Sequence, residues 1–158
     1  MSAHTIYDCA SLGSVLRYSD GTARPPARFR KKLSAWESRN GTGRLVKKEP
    51  PRTRATYSSP PCFTLHEGDF GQGGTVVVSV RRTWSVESDL RFEVVERPAI
   101  GMVRVLQDIG ESPELLHLAR DREAAERWIA NNPYSRAYLE EVSADEVGAD
   151  VIEGRAVA

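Results

Sequence analysis

Thr75-Val76-Val77-Val78-Ser79-Val80-Arg81-Arg82-Thr83-Trp84-Ser85 is the stretch on which the reading of the fold turns. Val76, Val78, Val80 and Thr83, set against Val77, Ser79 and Arg81, give a partial period of two. That is the repeat of a strand with two unlike faces. Three more strands are expected around it, from Cys62 to His66, Leu90 to Glu96 and Gly101 to Gln107. Short polar connections separate them: Gly68 to Gly74, Glu87 to Asp89, and Arg97 to Ile100. Strands joined this closely predict an antiparallel meander.

Towards the C-terminus, Leu115 to Ala119 reads as a fifth strand. Asp121 suits a helix N-cap and Glu123 suits the positive end of the helix dipole. The helix is expected to run to about Asn131, with Ala124, Ala125, Trp128 and Ile129 facing inward. Pro133 closes it, and Ala137 to Val142 returns as a strand. Towards the N-terminus, Ser14 to Tyr18 predicts a short strand running into the turn Ser19-Asp20-Gly21-Thr22. A helix is expected from about Pro26 to Arg39, since Phe29, Leu33 and Trp36 fall on one helical stripe and proline is tolerated in a first turn. Asn40-Gly41 ends it. Gly43 to Lys47 follows as a second short strand, and residues 52–61 read as a loop. The class predicted is α+β: an antiparallel sheet (meander), a basic N-terminal helix, and a second helix in a C-terminal strand–helix–strand unit, with the helices on one face.

The chain of 158 residues fits one domain, residues 1–158, large enough to hold a core without disulfides or metals. Its two cysteines, Cys9 and Cys62, are too few for a disulfide scaffold. His4, Asp8 and Arg17 interrupt any N-terminal apolar run, and the Val-rich stretch is too short for a membrane helix. A cytoplasmic protein is expected.

A net charge of zero hides a gradient. Residues 1–55 carry 12 Lys and Arg against 4 Asp and Glu, a net of +8; residues 107–158 carry 5 against 12, a net of −7. Such asymmetry implies either a basic surface that meets an acidic partner or a head and tail that meet each other, within one chain or in a homodimer. Arg24, Arg28, Arg30, Lys31, Lys32 and Arg39 crowd the first helix, several of them near its positive end, where cations are disfavoured. That local conflict points to an anionic partner. Arg28, Lys31, Lys32, Arg39, Arg44, Lys47 and Lys48 are the expected contact surface, with arginine suited to forked bonds to carboxylate or phosphate. Trp36 and Tyr18 lie beside it, where aromatics near cations can stack bases, but Trp36 shares the apolar stripe with Phe29 and Leu33, so core packing is its simpler role.

The remaining candidates carry less. The run Gly68-Asp69-Phe70-Gly71-Gln72-Gly73-Gly74 lacks the Lys and Ser/Thr of a phosphate loop and reads as a hairpin turn. Cys62 and His66 share one strand face, which permits a nucleophile–base pair, although a buried structural cysteine is the plainer reading. No ligand spacing suggests a metal, and no cofactor is expected. Asp8 with Asp20, Glu67 with Asp69, and Glu140 with Glu141 are carboxylate pairs without a pocket. Asp145, Glu146, Asp150 and Glu153, in an acidic tail over 143–158, read as a solubilising segment and secondarily as a mimic of nucleic acid.

The runs Leu12-Gly13-Ser14-Val15-Leu16-Arg17-Tyr18-Ser19-Asp20-Gly21-Thr22-Ala23-Arg24-Pro25-Pro26-Ala27-Arg28-Phe29 and Asn40-Gly41-Thr42-Gly43-Arg44-Leu45-Val46 resemble uncharacterised proteins carried on bacterial plasmids, phages and integrated elements. The resemblance implies mobile-element cargo, a group that includes inhibitors of host defence such as anti-CRISPR proteins. The function expected is thus a non-enzymatic interaction protein that occupies a nucleic-acid-handling host complex through its basic surface. Direct nucleic-acid binding is the alternative. An enzyme with a site assembled from scattered residues, among them Cys62, His66, Asp8 and Asp20, is the second.

Overall fold

The Val-rich stretch is the second arm of a long hairpin that grows out of an antiparallel sheet. The computed structural model describes residues 1–146. The chain order is α1 (Ala3–Cys9), β1 (Val15–Ser19), α2 (Arg30–Glu37), β2 (Gly41–Glu49), β3 (Arg52–Arg54), β4 (Tyr57–Ser59), β5 (Cys62–Gln72), β6 (Thr75–Ser85), β7 (Arg91–Glu96), β8 (Val103–Ile109), β9 (Ser112–Ala119), α3 (Arg122–Asn131) and β10 (Ala137–Glu141). The α+β class holds, with an N-terminal helix, an open antiparallel sheet and the β9–α3–β10 unit. Among the described residues no helix is long and apolar enough to cross a membrane.

Eight strands form the main sheet. Its path is β10-β8-β9-β2-β1-β7, with β5 paired to β2 and β6 paired to β5. Arg44 of β2 pairs with both Val15 of β1 and His66 of β5, and Lys47 pairs with both Thr64 of β5 and Glu114 of β9. A strand residue has one neighbour on each edge, so β5 takes one edge of β2 while β1 and β9 share the other. Pairing is therefore more interleaved than a run of sequence neighbours. β5 and β6 are adjacent, but β7 crosses to β1 and sets Phe92 opposite Tyr18. There Phe92 closes an aromatic cluster with Tyr18, Phe63 and Trp84, which the sequential order would not assemble.

The glycine-rich run is mostly strand. β5 continues to Gln72, and only Gly73 and Gly74 form the turn, both with positive φ (63° and 79°) as a tight two-residue hairpin requires. Residues 52–61 also differ from a plain loop, since β3 and β4 pair as a small separate hairpin.

α1 was not legible as a helix, yet it covers the larger core. Ser2 caps it by accepting from the Thr5 N–H at 3.2 Å. Ala3, Ile6 and Ala10 then pack on Leu16, Tyr18, Leu45, Phe63, Leu65, Leu90 and Phe92. α3 builds a second cluster as expected. Asp121 accepts from the Ala124 N–H at 2.8 Å, and Ala125, Trp128 and Ile129 lie against Val103 and Val105 of β8. α2 differs, because it buries no residue: Phe29 is exposed and Leu33 and Trp36 are only half-buried. The expected core stripe is instead a surface stripe.

The helices do not share one face. Val103 and Val105 face α3, so Arg104 between them points the other way. It is 3% exposed and lies under the segment that leaves α1, with Nε donating to the Leu12 carbonyl at 2.7 Å. Its two terminal nitrogens fork onto both oxygens of Glu146, with Glu140 at 3.7 Å. Glu146 is thus a counter-ion for a buried cation and not part of a loose tail. Asp150 and Glu153 lie outside the described residues.

Burial pushes the Glu146 carboxyl up, but Arg104's hydrogen bonds and charge outweigh it and hold the pKa below the ordinary value. A depressed carboxyl stabilises the fold above its unfolded-state pKa of about 4.3 and ceases to as pH falls through the folded-state value. Glu146→Gln is expected to lose roughly 3 kcal/mol at pH 7, because it strands a buried guanidinium. Urea unfolding at pH 7 and at about pH 3 checks this; the gap between wild type and variant should narrow in acid.

Candidate functional site

The seven expected contact residues do not form one patch. Arg28, Lys31 and Lys32 are exposed on and just before α2. Arg39 follows the helix and is held by Asp89 at 2.8 Å and Asp20 at 3.5 Å. The other three sit on β2 and diverge. Arg44 donates to the Gly13 carbonyl at 2.5 Å, Lys47 donates to the Ile109 carbonyl at 3.0 Å, and Lys48 lies 5.7 Å over the Tyr7 ring of α1. Lys47 and Lys48, as strand neighbours, point to opposite faces, and a β-bulge between Leu45 and Lys47 puts Lys48 out of step with Arg44.

What remains is a compact cationic element. Arg28, Arg30, Lys31 and Lys32 are exposed and make no ion pair among the described residues. Phe29 stands among them, 43% exposed, with the Arg28 guanidinium 4.8 Å and the Lys32 ammonium 5.3 Å from its ring centre. Phe29 at the N-cap makes no side-chain cap, and the first turn holds no acidic residue. Polar bonds at the C-terminal end hold the helix in place. Trp36 Nε1 donates to the Thr22 carbonyl at 3.0 Å, Asn40 Nδ2 to the Trp36 carbonyl at 2.9 Å, and Arg82 Nη1 to the Ser38 carbonyl at 2.7 Å. Asp20 completes the anchor. Bonds from Thr22 and Asn40, with Arg39 nearby, hold its pKa down at about 2.

A cleft of about 690 Å³ opens on the face that carries α3. Arg44 and His66 of the sheet, Val76, Ser79 and Arg81 of the hairpin, and Trp128 and Tyr134 are among its lining residues. His66 Nε2 and Asp69 Oδ1 are 2.8 Å apart, and Arg81 donates to Glu114 at 2.5 Å. Hydrogen bonds from His66 and Ser79 hold the Asp69 pKa below the ordinary value. Burial lowers that of His117, whose ring stacks on Trp128.

The catalytic candidates separate. Cys62 and His66 share a strand face but lie four residues apart, roughly 13 Å of strand. Cys62 donates to Glu49 at 3.4 Å, and burial, then Glu49, raises its thiol pKa, the reverse of an activated nucleophile. Glu67, the extra residue of a β5 bulge, turns away from Asp69 to accept from Tyr18 and from Arg82 at 3.0 Å. Asp8 pairs with His4 at 2.9 Å.

Fold and surface together define an α+β protein built on an open antiparallel sheet, with a cationic helix on its flank and a cleft on one face. A protein-family model described as "Uncharacterised conserved protein UCP036055" matches residues 1–146, and the chain belongs to that family. Comparison with curated proteins and with solved structures returned no match.

Cys62 is expected to react with iodoacetamide at pH 7 several-fold more slowly than free cysteine, because thiolate is the reacting form. Alkylation of a Cys9→Ser chain, followed by intact-mass spectrometry, measures it.

Proposed function

We propose that this protein is a non-enzymatic docking module that presents residues 28–32 to an acidic face of a protein partner. The observation that supports this reading best is the combination on α2. The helix buries nothing and yet is pinned at its C-terminal end. The helix and the two residues before it carry four cations without ion pairs among the described residues, grouped about an exposed phenylalanine. Packing does not account for those residue types, and the helix dipole opposes them. Aromatic and arginine side chains at the centre of a patch are what anchors an interface.

The charge gradient supports the same reading. Arg17, Arg24, Arg39 and Arg52 pair with Glu93, Glu37, Asp20 and Asp89, and Glu49, so part of the head's charge is met locally. Among its other cations, Arg28, Arg30, Lys31 and Lys32 form a compact exposed group. A cytoplasmic setting, a mobile-element origin and a target that handles nucleic acid belong to this proposal through the resemblance of residues 12–29 and 40–46.

The test is capture of partners by tagged full-length chain from bacterial lysate, with and without nuclease, beside the Arg28→Glu/Lys32→Glu variant. A stoichiometric protein that survives nuclease and is lost with the variant supports the reading. The variant's melting temperature should match wild type within about 1 °C, since neither side chain is buried. Partners lost on digestion, with binding that falls steeply between 50 and about 200 mM salt, would replace it with direct nucleic-acid binding. Capture that the charge reversal leaves intact would sink both.

A further inference from the structure

The cleft on the α3 face plays no part in docking through α2. Its volume of about 690 Å³ falls in the range of clefts that bind small molecules. Two features give it a chemical preference.

The first is Arg44. Three other arginines that reach across the sheet are each matched by a glutamate: Arg81 by Glu114, Arg82 by Glu67 and Arg104 by Glu146. Arg44 is half-buried and makes no ion pair among the described residues. Its Nη1 donates to a neutral carbonyl, that of Gly13. A guanidinium has five N–H donors in a fixed fork, so this one keeps both its charge and most of its donors available to an anion. Other polar groups of the cleft are already engaged, Asp69 in a hydrogen bond with His66 and Arg81 in an ion pair with Glu114.

The second is the ring wall. His117 and Trp128 lie within 3° of parallel with centres 5.0 Å apart. Trp128 and Tyr134 lie within 5° at 5.7 Å. Tyr134 is 49% exposed. The three rings form one stack, so the face it offers is that of its half-exposed end member, Tyr134, and flat rings stack on such a face with little regard to their substituents.

We infer that the cleft binds a small planar aromatic anion, its ring on the Tyr134 end of the stack and its carboxylate or phosphate on Arg44. Ring and charge are both required, because each feature alone supplies only part of the contact.

Calorimetric titration of the full chain tests this with two sets of probes: adenosine 5′-monophosphate, adenosine and inorganic phosphate; and 2-naphthoate, 2-naphthol and acetate. At least one ring-bearing anion is expected to bind tenfold or more tightly than its uncharged ring and than its bare anion. Binding of the nucleotide alone assigns a phosphate ligand, and binding of the naphthoate alone a carboxylate. Arg44→Gln should weaken that binding roughly tenfold to a hundredfold, the loss of a charge-assisted contact. Arg44→Lys should weaken it less, and Tyr134→Ala several-fold. Arg28→Glu/Lys32→Glu should leave it unchanged, which separates this site from the docking surface. Absence of binding by both ring-bearing anions would overturn the inference. So would full affinity in Arg44→Gln with an unaltered circular dichroism spectrum. Should that variant fail to fold, undiminished affinity in Tyr134→Ala overturns it independently.

Discussion

β2 has two edges and three neighbours, and the architecture follows from how it divides them. β5 runs along one edge, while β1 and then β9 share the other. The division demands space at the start of the strand. A Cβ on Gly41 would lie 2.5 Å from the Tyr18 hydroxyl, and one on Gly43 would lie 2.9 Å from the Leu65 Cβ. Without side chains there, the aromatic cluster under α1 closes over the strand. Beyond the bulge at Val46 the strand turns to serve β9, and Val46 packs with Leu106 and Leu115 to join the two halves of the core. The α1 half and the α3 half are thereby bound through one segment.

Charge is handled differently inside and outside this frame. Arg104, Arg82 and Arg81 each meet a carboxylate where they cross the sheet. Leaving such a group unpaired in low dielectric is costly. On α2 no such rule operates. Its cations stay in water, and Arg28 and Lys32 rest against the Phe29 ring without surrendering hydration. Arg44 falls between the two regimes, half-buried but matched only by a carbonyl. The cleft above it is where this departure from the pattern is found.

Much of the sheet was legible because its signals are local. Alternating apolar residues marked β6, and Asp121 with Ala125 and Trp128 marked α3 nearly to the residue. α1 was missed because seven residues with His4 and Asp8 among them show too few apolar positions for a stripe, although Ser2 and Thr5 carried a capping signal. The stripe Phe29, Leu33 and Trp36 misled for the opposite reason: periodicity shows that a face is apolar, not that anything covers it. Partner choice between strands was not legible at all, since nothing in residues 91–96 states that β1 and not β6 lies alongside. The cationic residues were found by composition, but strand alternation together with a bulge gave Arg44, Lys47 and Lys48 different surroundings. The ring wall of the cleft joins β9, α3 and the loop after it, an adjacency that only the folded chain creates.

The shared edge of β2 also sets an order of assembly. The hairpins β5–β6 and β8–β9 each close from their own tight turn and need no distant segment. β2 cannot fill its second edge until residues 15–18 and Glu114 have both arrived, so a long loop closes there, and a longer one closes where β7 reaches β1. Topologies dominated by such distant pairings fold slowly. The backbone amides of β2 should then exchange with solvent only through opening of the whole sheet, while those near Gly73 and Gly74 exchange by local fraying.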